Sequence, residues 1–281
     1  MNSGEEKLII IGGAEDKKNS KVILKHVAEK INDKDELLIA TVASEEPEKL
    51  ITNYRKAFVE LGVKNIKELT IIDREECWCE NKINLIKSAK VIFFTGGDQL
   101  RITSLLGGTP VYESLIKAFL NGTIFVGTSA GASVMSDVMI IAGEEEEGPR
   151  KCTIEMAKGL GLINGLIIDQ HFSQRGRIGR LLVAVAQNPQ SLGIGIDEDT
   201  AIIIDKNNNI KVIGSSSVYI IDGKNMNYSN VSQNSSKEHF SMFNVLLHIL
   251  TPGKIYNLDK RKPFEEEIFK NENNKKTSFW R

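Results

Sequence analysis

The chain has 281 residues, enough to bury a sizeable core, and is 41% hydrophobic and 26% charged with a net charge of −1, an ordinary globular composition. That balance argues against a nucleic-acid footprint or a basic membrane-binding surface, and no apolar run approaches the ~18 residues of a membrane span. The opening MNSGEEKLIIIGG has no signal-peptide pattern, and Cys77, Cys79 and Cys152 fit neither a disulfide framework nor a zinc site, so a reduced, cytoplasmic protein is expected.

An apolar run at 7–11 ends in Gly12-Gly13-Ala14-Glu15-Asp16 and reads as a buried parallel strand with its C-terminal loop. Ser20 is expected to cap a helix in which Val22, Ile23, His26, Val27 and Ile31 fall near helical spacing. A strand at 36–42 follows. Pro47 then opens a helix with Leu50, Ile51, Tyr54, Phe58 and Leu61 on one stripe. A strand at 66–72, a helix at 81–89 and a strand at 91–94 lead into Thr95-Gly96-Gly97-Asp98-Gln99. Helices at 100–106 and 110–120 precede a strand at 124–126. This rhythm predicts an α/β fold: a mainly parallel, doubly wound sheet with flanking helices, its site beyond the carboxyl ends of the strands.

After Ser136 the rhythm loosens. The acids Glu144 to Glu147 read as solvated loop or as an attractant for a cationic substrate. Strands at 166–169 and 192–196 flank a helix at 177–187. Strands at 201–204, 210–213 and 218–221 predict a small antiparallel meander, with Asn207-Asn208-Asn209 and Asp222-Gly223 as turns. A polar loop at 225–238 precedes an apolar element at 240–250, strand or helix, and a charged tail at 260–281. One domain over 1–281 is expected, with a core at about 7–222 and an extension at 223–281 that carries no recognised motif.

The chemistry is concentrated at Gly127-Thr128-Ser129-Ala130-Gly131, a G-x-S-x-G pattern between a β-prone run and a helix start. Such a strand–turn–helix forms a nucleophile elbow, exposing a serine at the positive end of a helix. A serine needs a base, and the base an orienting acid. Of the four histidines, His26 sits in an apolar helix, His239 borders a polar loop and His248 lies in an apolar element. Only His171 follows a strand end, in Ile168-Asp169-Gln170-His171. Asp197, Glu198 and Asp199 are three candidate acids, and spacing does not choose among them. The oxyanion donors expected are the N–H of Ala130 and that of Gly97 or Asp98.

With these blocks in order, the chain resembles peptidase family S51, which contains the cyanophycinases and the aspartyl dipeptidases. The resemblance rests on Gly12 to Asp16, Phe94 to Gln99, Gly127 to Ala132, Asp169 to Phe172 with Arg175-Gly176-Arg177 and Arg180-Leu181, and Gly193 to Ala201. It spans roughly residues 8 to 222. It implies Ser129 as nucleophile, His171 as base and Glu198 as third member, an order unlike that of the α/β-hydrolases. It also implies substrate contacts at Gln99, Asp169, Gln170, Arg175, Arg177 and Arg180. Arginines suit substrate carboxylates, and Asp169 or the Glu144–Glu147 run suits a substrate guanidinium. The implied reaction is exopeptidase hydrolysis of cyanophycin to β-Asp-Arg, with no metal or organic cofactor, by a homodimer. The alternatives are a dipeptidase for peptides with N-terminal aspartate and a non-catalytic binder of Asp/Arg peptides.

Overall fold

The computed structural model describes residues 6–143, 154–232 and 238–264. Its first half alternates strand and helix: β1 (Glu6–Ile11), α1 (Val22–Ala28), β2 (Glu36–Ala40), α2 (Pro47–Glu60), β3 (Asn65–Leu69), α3 (Glu80–Ser88), β4 (Ala89–Phe94), α4 (Gln99–Leu106), α5 (Pro110–Leu120), β5 (Ile124–Thr128) and the single turn α6 (Ala130–Ser133). Strands β1, β5, β4, β2 and β3 lie side by side in that order, all parallel. Both faces of this half are covered. Ile92 and Phe94 of β4 pack with Ile86, Ile102 and Leu115, whereas Val91 and Phe93 pack with Leu24, Val27 and Phe58. Burial on both faces explains why these strands are continuously apolar rather than alternating. Each fully buried Phe or Ile contributes about 1.5–3 kcal/mol relative to exposure.

The second half builds a second sheet and completes the first. It contains β6 (Val138–Gly143), β7 (Ile154–Lys158), β8 (Leu166–Gln170), α7 (Ile178–Gln187), β9 (Leu192–Ile196), β10 (Thr200–Asp205), β11 (Asn209–Gly214) and β12 (Val218–Asp222). The short pair β13 (Tyr228–Ser229) and β14 (Met242–Phe243) precedes β15 (Leu246–Leu250), β16 (Ile255–Asn257) and β17 (Lys262–Phe264). β10 pairs antiparallel with β1, and β11, β16 and β17 extend that edge to make nine strands. β8 and β9 pair in parallel within a separate four-stranded sheet, ordered β15-β12-β9-β8.

Three local readings change. Lys21, with φ 49°, precedes α1 without a side-chain cap. Asp16 instead gathers the N–H groups of Lys18, Asn19 and Lys21 and the Ser20 hydroxyl. β10 and β11 form the expected hairpin, but β12 leaves it for β9 and β15. The apolar element at 240–250 resolves as strand. Within the described residues, no helix is long and apolar enough to cross a membrane. The acids Glu144 to Glu147 and Cys152 lie outside the described residues.

Candidate active site

Ser129 stands between β5 and α6 with φ 54° and ψ −117°, a conformation that costs a non-glycine residue energy. The turn is tight enough that a Cβ on Gly127 would lie 2.1 Å from the Gly131 carbonyl oxygen. The Ser129 N–H donates to the Ile11 carbonyl at 3.1 Å, tying the turn to the end of β1.

The Ser129 Oγ lies 3.0 Å from His171 Nε2, and His171 Nδ1 lies 2.6 Å from Glu198 Oε1. A carboxylate only accepts, so the proton sits on Nδ1, and Nε2 is left to accept from the serine. His171 follows β8 and Glu198 follows β9, so two parallel neighbours of the second sheet bring imidazole and carboxylate together. The serine comes from the first sheet. Burial pushes the His171 pKa down, as do the charges of Arg175 and Arg177, and together these outweigh the hydrogen bond that His171 donates to Glu198 and the charge of that carboxylate. The imidazole is therefore neutral near pH 7 and able to take a proton.

Of the three acids left open by spacing, only Glu198 meets the imidazole. Asp197 accepts from Ser173, from the Ser216 hydroxyl and from the Ser217 N–H, which stitch the turn together. Asp199 accepts from the Asp16 N–H at 2.9 Å. Among the other histidines, His26 pairs with Glu6 at 2.9 Å and His248 packs on the Tyr256 ring.

The oxyanion donors separate by hydrogen-bond accounting. The Asp98 N–H donates to the Ala43 carbonyl at 2.9 Å, and its carboxylate accepts from the Leu100 N–H. Asp98 is thereby spent on the start of α4 and is corrected as a donor. Among the described residues, no acceptor takes the N–H of Gly97 or Ala130. The Gly96 position supports the same corner, because a Cβ there would lie 3.3 Å from Ser129 Cβ. A cleft of about 690 Å³ adjoins Gly97 and Asp98 and is bordered by Glu45, Glu46 and Arg101.

The expected substrate contacts divide sharply. Asp169 is 1% exposed, and its two oxygens accept from Arg180 in a bidentate pair. It also accepts from the Gln170 N–H at 3.0 Å and meets Arg177 at 3.5 Å. Asp169 is thus closed to a substrate guanidinium, against expectation, because it neutralises a buried arginine. Arg177 and Arg180 are buried with it, and Arg177 Nη1 donates to the Gln170 carbonyl at 2.6 Å. These two hold the chain just ahead of His171 instead of facing outward. Gln170 Oε1 lies 3.4 Å from Ser129 Oγ. Gln99 Nε2 donates to the Ile140 carbonyl at 2.9 Å. Arg175 is the exposed arginine of the three.

One group of residues around the site carries no role in the sequence reading. Gly13, with φ 99°, lies flat against the imidazole: a Cβ there would sit 2.4 Å from His171 Cε1 and Nε2. Glu15 and Thr128 meet behind the serine at 2.6 Å. The only signal in the sequence is their place inside the Gly12–Asp16 and Gly127–Gly131 blocks.

The sequence profile described as peptidase family S51 matches residues 8–213. A cyanophycinase of Geminocystis herdmanii is 39% identical over 91% of this chain and 95% of its own length. One from Trichormus variabilis is 38% identical over 90% and 86%. A crystal structure of a peptidase from an acI-B1 Actinobacterium shares the fold with a TM-score of 0.66 at 22% identity, covering 91% of this chain and 98% of its own. A profile match over most of the length, with relatives at this identity along nearly whole chains, makes this chain a member of peptidase family S51.

Proposed function

We propose that the chain is a serine exopeptidase that hydrolyses cyanophycin to β-Asp-Arg dipeptides. The observation that carries this is the unbroken Ser129–His171–Glu198 relay at 3.0 and 2.6 Å, in a chain whose curated relatives are cyanophycinases. Ser129 Oγ attacks a backbone carbonyl carbon of the polymer while its proton passes to His171 Nε2. Glu198 stabilises the imidazolium. The N–H groups of Gly97 and Ala130 receive the oxyanion, and the departing amine takes the proton from Nε2. Water then attacks the acyl-enzyme with His171 again as base, and the serine is released. Arg175 is exposed, and a guanidinium suits a substrate carboxylate.

The test is incubation with purified cyanophycin and with short peptides bearing N-terminal aspartate, followed by mass identification of products. The expected result is β-Asp-Arg from the polymer in preference to cleavage of the peptides. Ser129→Ala is expected to lose turnover by at least about 10⁴-fold while keeping its melting temperature. Near-wild-type activity in that variant removes the nucleophile assignment.

A further inference from the structure

One charged group behind the serine takes no part in the proposed reaction. Glu15 is buried, with none of its side chain exposed to solvent. A carboxylate so placed is costly unless paired. It accepts from the Thr128 hydroxyl at 2.6 Å and from the Tyr54 phenol, and it pairs with Lys17 at 3.0 Å. Burial raises its pKa, but Lys17 and the two hydroxyls outweigh that and hold it below the ordinary carboxylate value, so it is charged at neutral pH. Charge-assisted hydrogen bonds of this kind are strong.

The partners of this carboxylate decide what it does. Thr128 is the residue immediately before Ser129, whose φ of 54° must be held by its surroundings. Glu15 belongs to the loop after β1, and the end of β1 together with that loop reaches all three proposed catalytic turns. The Ile11 carbonyl takes the Ser129 N–H, the Gly12 carbonyl takes the His171 N–H at 2.8 Å, and the Gly13 carbonyl takes the Asp199 N–H at 2.9 Å, next to Glu198. Among the described residues, Glu15 is the only side chain of that loop bonded to the β5 turn.

We infer that Glu15 is a positioning residue, holding the Ser129 turn in line with His171 through the Thr128 hydroxyl. The inference rests on the proposed role of Ser129, so its test reads serine reactivity separately from cyanophycin turnover. Thr128→Val, Thr128→Ser and Glu15→Gln are compared with wild type for melting temperature, kcat and KM on cyanophycin, and the rate of Ser129 labelling by an organophosphofluoridate. Thr128→Val is expected to lower kcat and labelling at least about tenfold with KM within about twofold, and Thr128→Ser to recover both to within about threefold. Glu15→Gln, which keeps the shape and an acceptor, is expected to lower both several-fold, and it stands in if Thr128→Val does not fold. Wild-type kcat and labelling in Thr128→Val, or in Glu15→Gln alongside a lowered melting temperature, would overturn the inference. So would failure of Thr128→Ser to recover what Thr128→Val loses. A wild type inert to both reagent and polymer would overturn the serine reading together with this one.

Discussion

His171 is held neutral because the fold hides it and two arginines stand nearby, and in its proposed role as base this has a kinetic consequence. A base works only when unprotonated, so activity falls on the acid side of its pKa. The acid limb of kcat/KM is expected below the ordinary histidine value of 6.5, measured across pH 4 to 8. An acid limb above 6.5 would show Glu198 prevailing over burial. Arg180 poses a different problem. It was expected to face substrate, but it lies buried in a bidentate pair with Asp169. Arg180→Ala strands a buried carboxylate, with a cost of about 3–5 kcal/mol. Thermal unfolding should register that loss directly. A variant that kept wild-type stability and lost only affinity would restore Arg180 to the substrate.

Among the elements, the loop after β1 matters most, because the imidazole rests on Gly13. An alanine there requires φ near 99° and places a Cβ 2.4 Å from the ring. Something must move, and the side chain is softer than the backbone. Displacing a general base by about an ångström costs on the order of 10²-fold in rate. Gly13→Ala is therefore expected to lose about that much kcat, beyond a modest backbone destabilisation. Equal kcat in a folded Gly13→Ala protein would mean the ring has room to settle elsewhere. The pairing of β8 with β9 is a second element-scale device. Register places Gln170 beside Ile196, so the chain just beyond each strand delivers His171 and Glu198 to adjacent positions.

At the scale of the molecule, two sheets meet at the site, and buried ionisable groups tie stability to pH. The carboxyls of Glu6 and Glu15 are held below their ordinary value of 4.5 by their partners despite burial. As pH falls through 4.5 the unfolded chain takes up protons first, and the stability these groups supply drains away down through their folded pKa values. His171, also depressed, acts in the same direction but begins near 6.5. Melting temperature is thus expected to decline as pH drops below about 6.5 and to steepen below about 4.5. A melting temperature flat from pH 7 to pH 4 would show that these groups are not coupled to folding.

The sequence alone determined much of this. The parallel half was legible because strands buried on both faces must be apolar throughout, and the intervening helices carry stripes at helical spacing. The serine turn was legible because Gly127 and Gly131 leave no room for side chains. Local signals could not say that β12 belongs to another sheet than β10 and β11, since a strand carries no mark of its neighbour beyond its own pattern. Nor could they foresee that β15, β16 and β17, from an extension without a motif, complete both sheets. Asp197, Glu198 and Asp199 look equivalent in one dimension. Only the crossing from β9 to β10 aims one at the imidazole, while Asp197 binds the serines around the turn and Asp199 binds the loop after β1. Arg180 was expected to face substrate, and only the buried position of Asp169 gave that charge a place in the interior. Pattern reports what each residue does to its own backbone, whereas pairing across 42 or 27 residues of chain, as between Ser129, His171 and Glu198, exists only once the two sheets have packed.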